Sequence, residues 1–232
     1  MSGRLRLKRY LSNLKWLTIS FSRLVEEAEN WFEVLVYFVS PIHRSAITIR
    51  FRKGDALLVP RDYIFEAIAE TLLLNVYKFQ DLPSGSVIVD IGASVGDFTL
   101  LASRNQDVRV YAFEPSPQFF QYLQSNVVSN GRRAVRLFNG PADGHSLDSI
   151  LDKYGEPSID FLKVDCDGCE YKLFLECSPE TIARIRMIAM EVDEAPRLSQ
   201  KGIKDYLMRE GFRVMEKHSF QGHYFYCSSA GI

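Results

Sequence analysis

Two acidic residues, each at the end of an apolar run, carry the strongest chemical signal in this sequence. Residues 87–89 lead into Asp90, and a second apolar run ends at Glu114. Between them lie Gly92 and Gly96, and glycine permits positive φ and a close approach of ligand to backbone. This order of strand, loop, helix and strand predicts a site for a nucleotide-sized ligand, either a dinucleotide such as NAD or S-adenosyl-L-methionine.

The composition of the glycine-containing loop favours S-adenosyl-L-methionine. A dinucleotide site typically carries the pattern G-x-G-x-x-G, with a helix N-terminus facing the pyrophosphate. Residues 90–96 instead read DIGASVG, with only two glycines. The carboxylate of Asp90 would repel a pyrophosphate, whereas it would attract the ammonium of S-adenosyl-L-methionine. We therefore expect S-adenosyl-L-methionine as the cofactor.

Individual roles follow from the carboxyl ends of the strands, where α/β sheets bind ligands. Asp90 and the loop backbone are expected to hold the methionine end, and Glu114 the ribose hydroxyls. Polar groups after the third core strand are expected to meet the adenine, although Asp143 could equally be a solvated loop acid. The predicted cofactor-binding residues are Asp90, Gly92, Ala93, Ser94, Gly96, Glu114, Pro115, Asn139 and Asp143.

Methyl transfer to a hydroxyl also requires a group that removes the hydroxyl proton. Asp165 directly follows the fourth core strand and is the first candidate. His145 is the second, because an imidazole titrates near neutral pH, although a surface loop histidine is the commoner case. Asp167 and Glu170 could join Asp165 around a divalent cation. The dipole of the following helix is the favoured explanation for Glu170, and we expect no metal ion.

Three blocks of this sequence resemble the FkbM-like family of S-adenosylmethionine-dependent methyltransferases. They are VDIGASVGDFTLLAS, YAFEPSPQFFQYLQSNVVSNG and DFLKVDCDGCEYKLF, and the resemblance extends over roughly residues 48–216. The third block, usually of the form K-I-D-x-E-G-x-E, is the most specific to the family. The resemblance implies methylation of a hydroxyl oxygen on a small molecule or glycan.

This chain departs from the family pattern at four positions. Ser94 stands where Asn is common, Asp167 replaces the usual Glu, and Cys166 and Cys169 replace small or aliphatic residues. Buried cysteine behaves as a small apolar residue, so we expect Cys166 and Cys169 to be packing residues. The C-x-x-C spacing leaves open a redox or non-catalytic Rossmann-like binding module.

A methyltransferase acting on RNA or on an amine is a further alternative. Enzymes that methylate amino groups of nucleic acid typically carry an Asn/Asp-Pro-Pro-aromatic motif after the fourth strand. Residues 165–168 read DCDG there. The net charge of −1 gives no overall attraction to nucleic acid, so we consider that partner unlikely.

Apolar strands alternating with helices predict an α/β fold, specifically a Rossmann-like class I methyltransferase. We expect a mostly parallel seven-stranded sheet, helices on both faces and a terminal antiparallel hairpin. The predicted strands are 87–90, 108–113, 134–138, 159–165, 184–192, 212–217 and 223–228. The predicted helices are 96–104, 116–129, 146–153, 168–176 and 197–210. Residues 46–60 should form a further hairpin and 62–77 a helix.

The N-terminal residues 1–45 are predicted to be a helical extension preceding a methyltransferase domain, 46–232. Residues 1–24 contain six basic residues, no acid and interleaved leucines, which predicts a basic amphipathic helix. This helix could contact a membrane surface, but packing on protein, including a second subunit of a homo-oligomer, is the commoner fate of such a face. A second helix is expected over 26–39.

Composition sets the compartment expected for the chain. Four cysteines in 232 residues are too few for a disulfide framework, so we expect reduced thiols and a cytoplasmic location. No stretch is long and apolar enough to span a bilayer.

Overall fold

The computed structural model describes residues 21–39, 45–64, 67, 71, 75–105, 107–192, 200–218 and 222–229. Within these ranges the strands are β1 (Ala46–Arg50), β2 (Ala56–Pro60), β3 (Val87–Ile91), β4 (Arg109–Glu114), β5 (Val135–Asn139), β6 (Phe161–Val164), β7 (Met187–Glu191), β8 (Phe212–His218) and β9 (His223–Ser229). The helices are α1 (Trp31–Val39), α2 (Asp97–Ala102), α3 (Pro117–Ser129), α4 (Gly144–Asp152), α5 (Glu170–Glu176), α6 (Pro179–Ile182) and α7 (Gln200–Arg209). Residues 21–27 are also helical, and Arg61–Tyr63 form a short 3-10 helix.

Seven strands form one sheet in the order β5-β4-β3-β6-β7-β9-β8. The first five are mutually parallel, and β9 inserts antiparallel between β7 and β8. Every residue of β3 is buried, as expected for a central strand covered on both faces. The predicted sheet and terminal hairpin are confirmed. The strand boundaries differ from the predicted ones by one to three residues at each end.

Side chains of the central strands alternate between two apolar layers. Val89 and Leu162 face the layer that α4, α5 and α7 cover, where Leu147 is buried. Ile88 and Phe161 face the opposite layer with Phe98 of α2. By the same alternation, the polar Asp90 and Lys163 lie on the α2 side of the sheet, as neighbours on adjacent strands. The fold therefore places two charged groups inside its centre.

The hairpin β1–β2 is attached to the sheet domain by two asparagines of α3. The side chain of Asn126 accepts the Leu58 N–H at 2.7 Å and donates to the Leu58 carbonyl at 2.8 Å. Asn130, one turn later, does the same with Ala56, at 2.8 Å and 2.7 Å. Because a primary amide carries a donor and an acceptor, these side chains replace a neighbouring strand along the free edge of β2. The predicted hairpin over 46–60 is confirmed, and helix α3 closes its edge.

The expectation of one continuous helix over 26–39 is wrong. The helix stops before Ala28, which forms an isolated antiparallel bridge with Phe51, and resumes as α1. Asn30 supports this break, since its side chain accepts the Arg50 N–H and donates to the Thr48 carbonyl. Pairing with the hairpin therefore outweighs helix propensity over these three residues.

The described part of the N-terminal extension packs on the hairpin. Its buried residues Leu24, Ala28, Val34 and Tyr37 share one apolar cluster with Ile47, Ile49, Leu57 and Val59 of the hairpin. The predicted basic helix lies mostly in residues 1–20, outside the described residues, as does most of the helix expected over 62–77. The division at residue 45 stays a prediction. Among the described residues, no helix combines the length and apolar character that crossing a bilayer requires.

We expect Asn126→Ala to lower the free energy of unfolding by about 2–3 kcal/mol, because it strands buried backbone groups of β2 without partners. Urea denaturation measures the loss. Gln124→Ala, at an exposed position of the same helix, is the control and should stay within about 0.5 kcal/mol of the native chain. Equal effects of the two substitutions would contradict the asparagine clamp.

Candidate functional site

The loop after β3 is built for close contact. Gly92 and Gly96 have φ values of 73° and 89°, and Ser94 is also left-handed at 49°. The N–H groups of Gly92 and Ala93 both donate to the Phe113 carbonyl on the neighbouring strand. A Cβ on Gly92 would overlap the carbonyl oxygen of Asp165. The loop is thus wedged between the ends of β4 and β6, and only glycine fits there.

Glu114 holds the same loop from the end of β4. Its carboxylate accepts the backbone N–H of Ser94 and that of Ser116, each at 2.7 Å. Burial raises the pKa of Glu114 above its ordinary value, although these two hydrogen bonds act in the opposite direction. Asn139, at the end of β5, donates to the Glu114 carbonyl at 2.9 Å. Each carboxylate oxygen retains a second lone pair, so the predicted bonds to ribose hydroxyls are still available.

A buried lysine lies at the centre of the site. Lys163 Nζ is 3.2 Å from Oδ1 of Asp90 and 3.9 Å from Oδ2 of Asp165. It also donates to the Gly92 carbonyl at 2.6 Å. Burial alone lowers the pKa of Lys163, but the charges of Asp90 and Asp165 raise it above its ordinary value, so the ammonium is retained. Strand end, glycine loop and candidate base therefore share one cation.

Asp165 is the acid of this group that reaches the surface. Its side chain is 29% exposed, and Tyr77 donates to Oδ2 at 2.5 Å. Burial and the charge of Asp165 raise the pKa of Tyr77 well above its ordinary value, so the phenol remains a donor. Of the two predicted bases, Asp165 is thus the one that lies beside the glycine loop.

Asp90 does not lie where a ligand could touch it. The residue is 0% exposed, and its Oδ2 accepts the Thr99 hydroxyl at 2.6 Å while Oδ1 faces Lys163. The expected direct contact between Asp90 and a ligand ammonium is therefore corrected. Its carboxylate compensates the charge of a lysine that the apolar strand β6 carries inward.

Two other predicted residues have surface or helix-end roles. Asp143 is the N-cap of α4, where it accepts the Ser146 N–H in a capping box, and the Ser146 hydroxyl lowers its pKa. His145 is 77% exposed, and Nδ1 lies 3.9 Å from Asp148. Within the described residues no hydrogen bond or ion pair links His145 to Asp165. The structure thus favours the helix-end role for Asp143 and the surface role for His145.

The remaining predicted residues cluster around the loop. Gly92, Ala93, Ser94, Gly96, Glu114 and Asn139 belong to one hydrogen-bonded set, and Pro115 follows it in an exposed position. The hydroxyl of Ser94 is buried and has no hydrogen-bond partner among the described residues. This orphaned polar atom marks a place where a ligand group would be accommodated.

Sequence reasoning assigns no role to Lys163 or Asp97. A lysine inside the otherwise apolar strand 161–164 is a signal for Lys163, because a buried ammonium requires an acidic partner. Asp97 directly follows Gly96 at the start of α2. Burial raises its pKa to about 6, against the opposing effect of a hydrogen bond with Thr71. An acid at the first position after the glycine loop was the available signal.

The expected packing role of Cys166 and Cys169 as reduced thiols is wrong in this structure. The two form a disulfide with a Cα–Cα distance of 5.4 Å. The intervening Asp167 and Gly168 have φ values of 52° and 102°, so the chain turns back and brings the sulfurs together. Cys177 and Cys227 are free and buried, which raises the pKa of each thiol to about 12. The packing role fits only these two.

We expect Gly92→Ala to destabilise the chain by about 2 kcal/mol more than Gly85→Ala. Both glycines have positive φ and therefore share the backbone strain, but a Cβ at Gly85 meets nothing within 4 Å. Urea denaturation of the two variants isolates the overlap with Asp165. Equal losses would mean that the loop can move away from β6 freely.

We expect Lys163→Met to lower the free energy of unfolding by about 3–5 kcal/mol, because Asp90 would be left as an unpaired buried charge. Adding Asp90→Asn to this variant should recover part of the loss. The four chains of this double-mutant cycle can be compared by urea denaturation at neutral pH. Additive losses would show that the two side chains are energetically independent.

The sequence and the structure both have known relatives. A model of the methyltransferase FkbM domain matches residues 141–214. The AMB antimetabolite synthetase AmbE of Pseudomonas aeruginosa is 24% identical over an alignment that covers 57% of this chain and 10% of the synthetase. The chain thus spans about a tenth of the length of that curated relative.

Solved structures with a similar fold include the MTase domain of METTL16, with a TM-score of 0.51 and 19% identity over 72% of this chain and 66% of that one. The N-terminal domain of human METTL16 in complex with SAH gives 0.50 and 18% over 72% and 68%. At these identities the likeness concerns the fold alone. The chain therefore has the class I methyltransferase fold, and residues 141–214 place it in the FkbM methyltransferase family.

Proposed function

We propose that this protein transfers a methyl group from S-adenosyl-L-methionine to a hydroxyl oxygen of a small molecule or glycan. The observation that carries the proposal is the link through Lys163 between the glycine loop and Asp165. It sets a ligand-binding loop and a candidate base side by side at the carboxyl edge of the sheet, where α/β folds bind their ligands.

The residues around the loop suit this cofactor. Glu114 offers carboxylate oxygens to ribose hydroxyls, and the buried hydroxyl of Ser94 lacks a partner among the described residues. Two carboxylates, Asp90 and Asp165, face the single ammonium of Lys163, so this edge is net negative and favours a cationic ligand. When bound, S-adenosyl-L-methionine supplies a methyl group already activated by the sulfonium.

The protein's own task is then to orient the acceptor and remove its proton. As the acceptor oxygen gains the methyl group, its proton passes to an oxygen of Asp165. The Tyr77 hydroxyl holds Oδ2 of that carboxylate in place. Lys163 fixes the same group electrostatically and positions Gly92 through its carbonyl. The acceptor class itself follows from the resemblance to FkbM-like enzymes, which mostly methylate hydroxyls.

The Cys166–Cys169 disulfide favours a second candidate, a thiol–disulfide redox protein on a Rossmann-like scaffold. In that case the disulfide would be reduced and re-formed during turnover. Methyl transfer by a chain with both cysteines replaced by serine would separate the two functions.

Calorimetric titration of the full chain with S-adenosyl-L-methionine, S-adenosylhomocysteine and NAD tests the cofactor. We expect the first two to bind and NAD not to bind. Glu114→Gln should weaken binding by roughly 10- to 100-fold, since it removes hydrogen bonds to a charged group. Asp165→Asn should retain binding but slow methyl transfer by roughly 10²- to 10⁴-fold.

Glu156→Gln is the matched control for Glu114. Glu156 is equally buried and hydrogen-bonded, but it pairs with Arg109 and Tyr111 at the opposite edge of the sheet. Its replacement should reduce stability and leave cofactor affinity unchanged. Preference for NAD, or indifference of binding to Glu114→Gln, would overturn the proposal. A labelled-methyl screen over sugars, glycolipids, amines and RNA then decides the acceptor class, and transfer to RNA would refute the hydroxyl-bearing small molecule or glycan.

A further inference from the structure

The end of the final hairpin brings together three side chains that bind metals. His218, the last residue of β8, lies directly opposite His223, the first residue of β9. Glu216 precedes His218 by two residues, so the two share a face of the strand. One ligand atom from each of the three lies within 4.8 Å of the others.

The distances within this group resemble those between ligands of one ion. Glu216 Oε1 is 2.7 Å from Nε2 of His223 and 3.3 Å from Nε2 of His218. Zinc–nitrogen and zinc–oxygen bonds of about 2.0–2.1 Å at tetrahedral angles place two ligand atoms roughly 3.3 Å apart. The two imidazole rings are stacked with centroids 3.8 Å apart, which keeps both nitrogens near the carboxylate.

The burial of these residues differs in a way that suits an ion arriving from solvent. The His223 side chain is 8% exposed, and its Nδ1 has no hydrogen-bond partner among the described residues. Hydrogen bonds within the described chain therefore do not hold this buried ring on both sides, as they commonly do for a buried histidine. The His218 side chain is 71% exposed, so the group is open to solvent on one side.

Lys204 orients the carboxylate of this group. Its Nζ lies 2.7 Å from Oε2 of Glu216, which leaves Oε1 for the histidines. Partners behind a metal-binding carboxylate typically fix it in this manner. The lysine charge also opposes a nearby cation, so we expect moderate affinity.

We propose that Glu216, His218 and His223 form a binding site for a divalent transition-metal ion, for which Zn²⁺ is the best match. Two imidazoles and one carboxylate are characteristic zinc ligands, and a water molecule would complete the tetrahedron. Strands β7 and β9 lie between β8 and β6 in the sheet, so the site is separate from Asp165. The bound ion would tie the two strands together at the end of the hairpin.

Competition for Zn²⁺ between the full, metal-stripped chain and a chromophoric chelator tests the site. The disulfide is kept intact, so that Cys166 and Cys169 cannot take up zinc. We expect one ion per chain, and at least tenfold weaker binding for His218→Gln and for Glu216→Gln. Zn²⁺ should raise the melting temperature of the native chain but not that of His218→Gln.

His145→Gln is the control, because His145 is as exposed as His218 and lies outside the group. It should bind zinc like the native chain. Substitution of Co²⁺ provides a second readout, with tetrahedral d–d absorption and no thiolate charge-transfer band. Equal zinc affinity of the native chain and His218→Gln, or a thiolate band that assigns the ion to cysteine, would overturn the proposal.

Discussion

The buried ion pair between Lys163 and Asp90 is the interaction on which the site depends. The two residues are register neighbours on parallel strands, and both lie in the interior, where an unpaired charge is strongly unfavourable. Each is therefore tolerated only because of the other. The lysine extends this pairing to the Gly92 carbonyl and towards Asp165. One ammonium thus connects the central strand, the loop after it and the neighbouring strand that ends in the candidate base.

Steric constraints act on the same loop as these charges. A side chain on Gly92 would overlap the backbone of Asp165, and a Cβ on Gly96 would come within 2.7 Å of Leu123 in α3. Glu114 binds the Ser94 N–H from the remaining side. The loop is therefore fixed by backbone contact, ion pairing and hydrogen bonding from three directions. Such redundancy is typical of sites whose geometry is set before a ligand arrives.

Much of this arrangement could be predicted from local sequence. The apolar run ending at Asp90, the two glycines and the acid Glu114 are neighbours in sequence, so their pattern predicts both the fold and the loop. Lys163 could not be paired in advance, because its partner is 73 positions away and the strand register is needed. The break at Ala28 likewise depends on pairing with a distant hairpin. Asp143 fits a ligand contact and a helix cap equally well in sequence, and only the structure distinguishes them.

The asparagine clamp has a consequence for how distant parts of the chain influence one another. Besides its bonds to Leu58, Asn126 donates to the carbonyl of Val95 at 2.8 Å, inside the glycine loop. A single amide therefore touches both the N-terminal hairpin and the loop that contacts the ligand. Any binding partner that shifts the hairpin must alter the free energy of the loop, and by thermodynamic reciprocity an occupied loop must alter the affinity for that partner to the same extent.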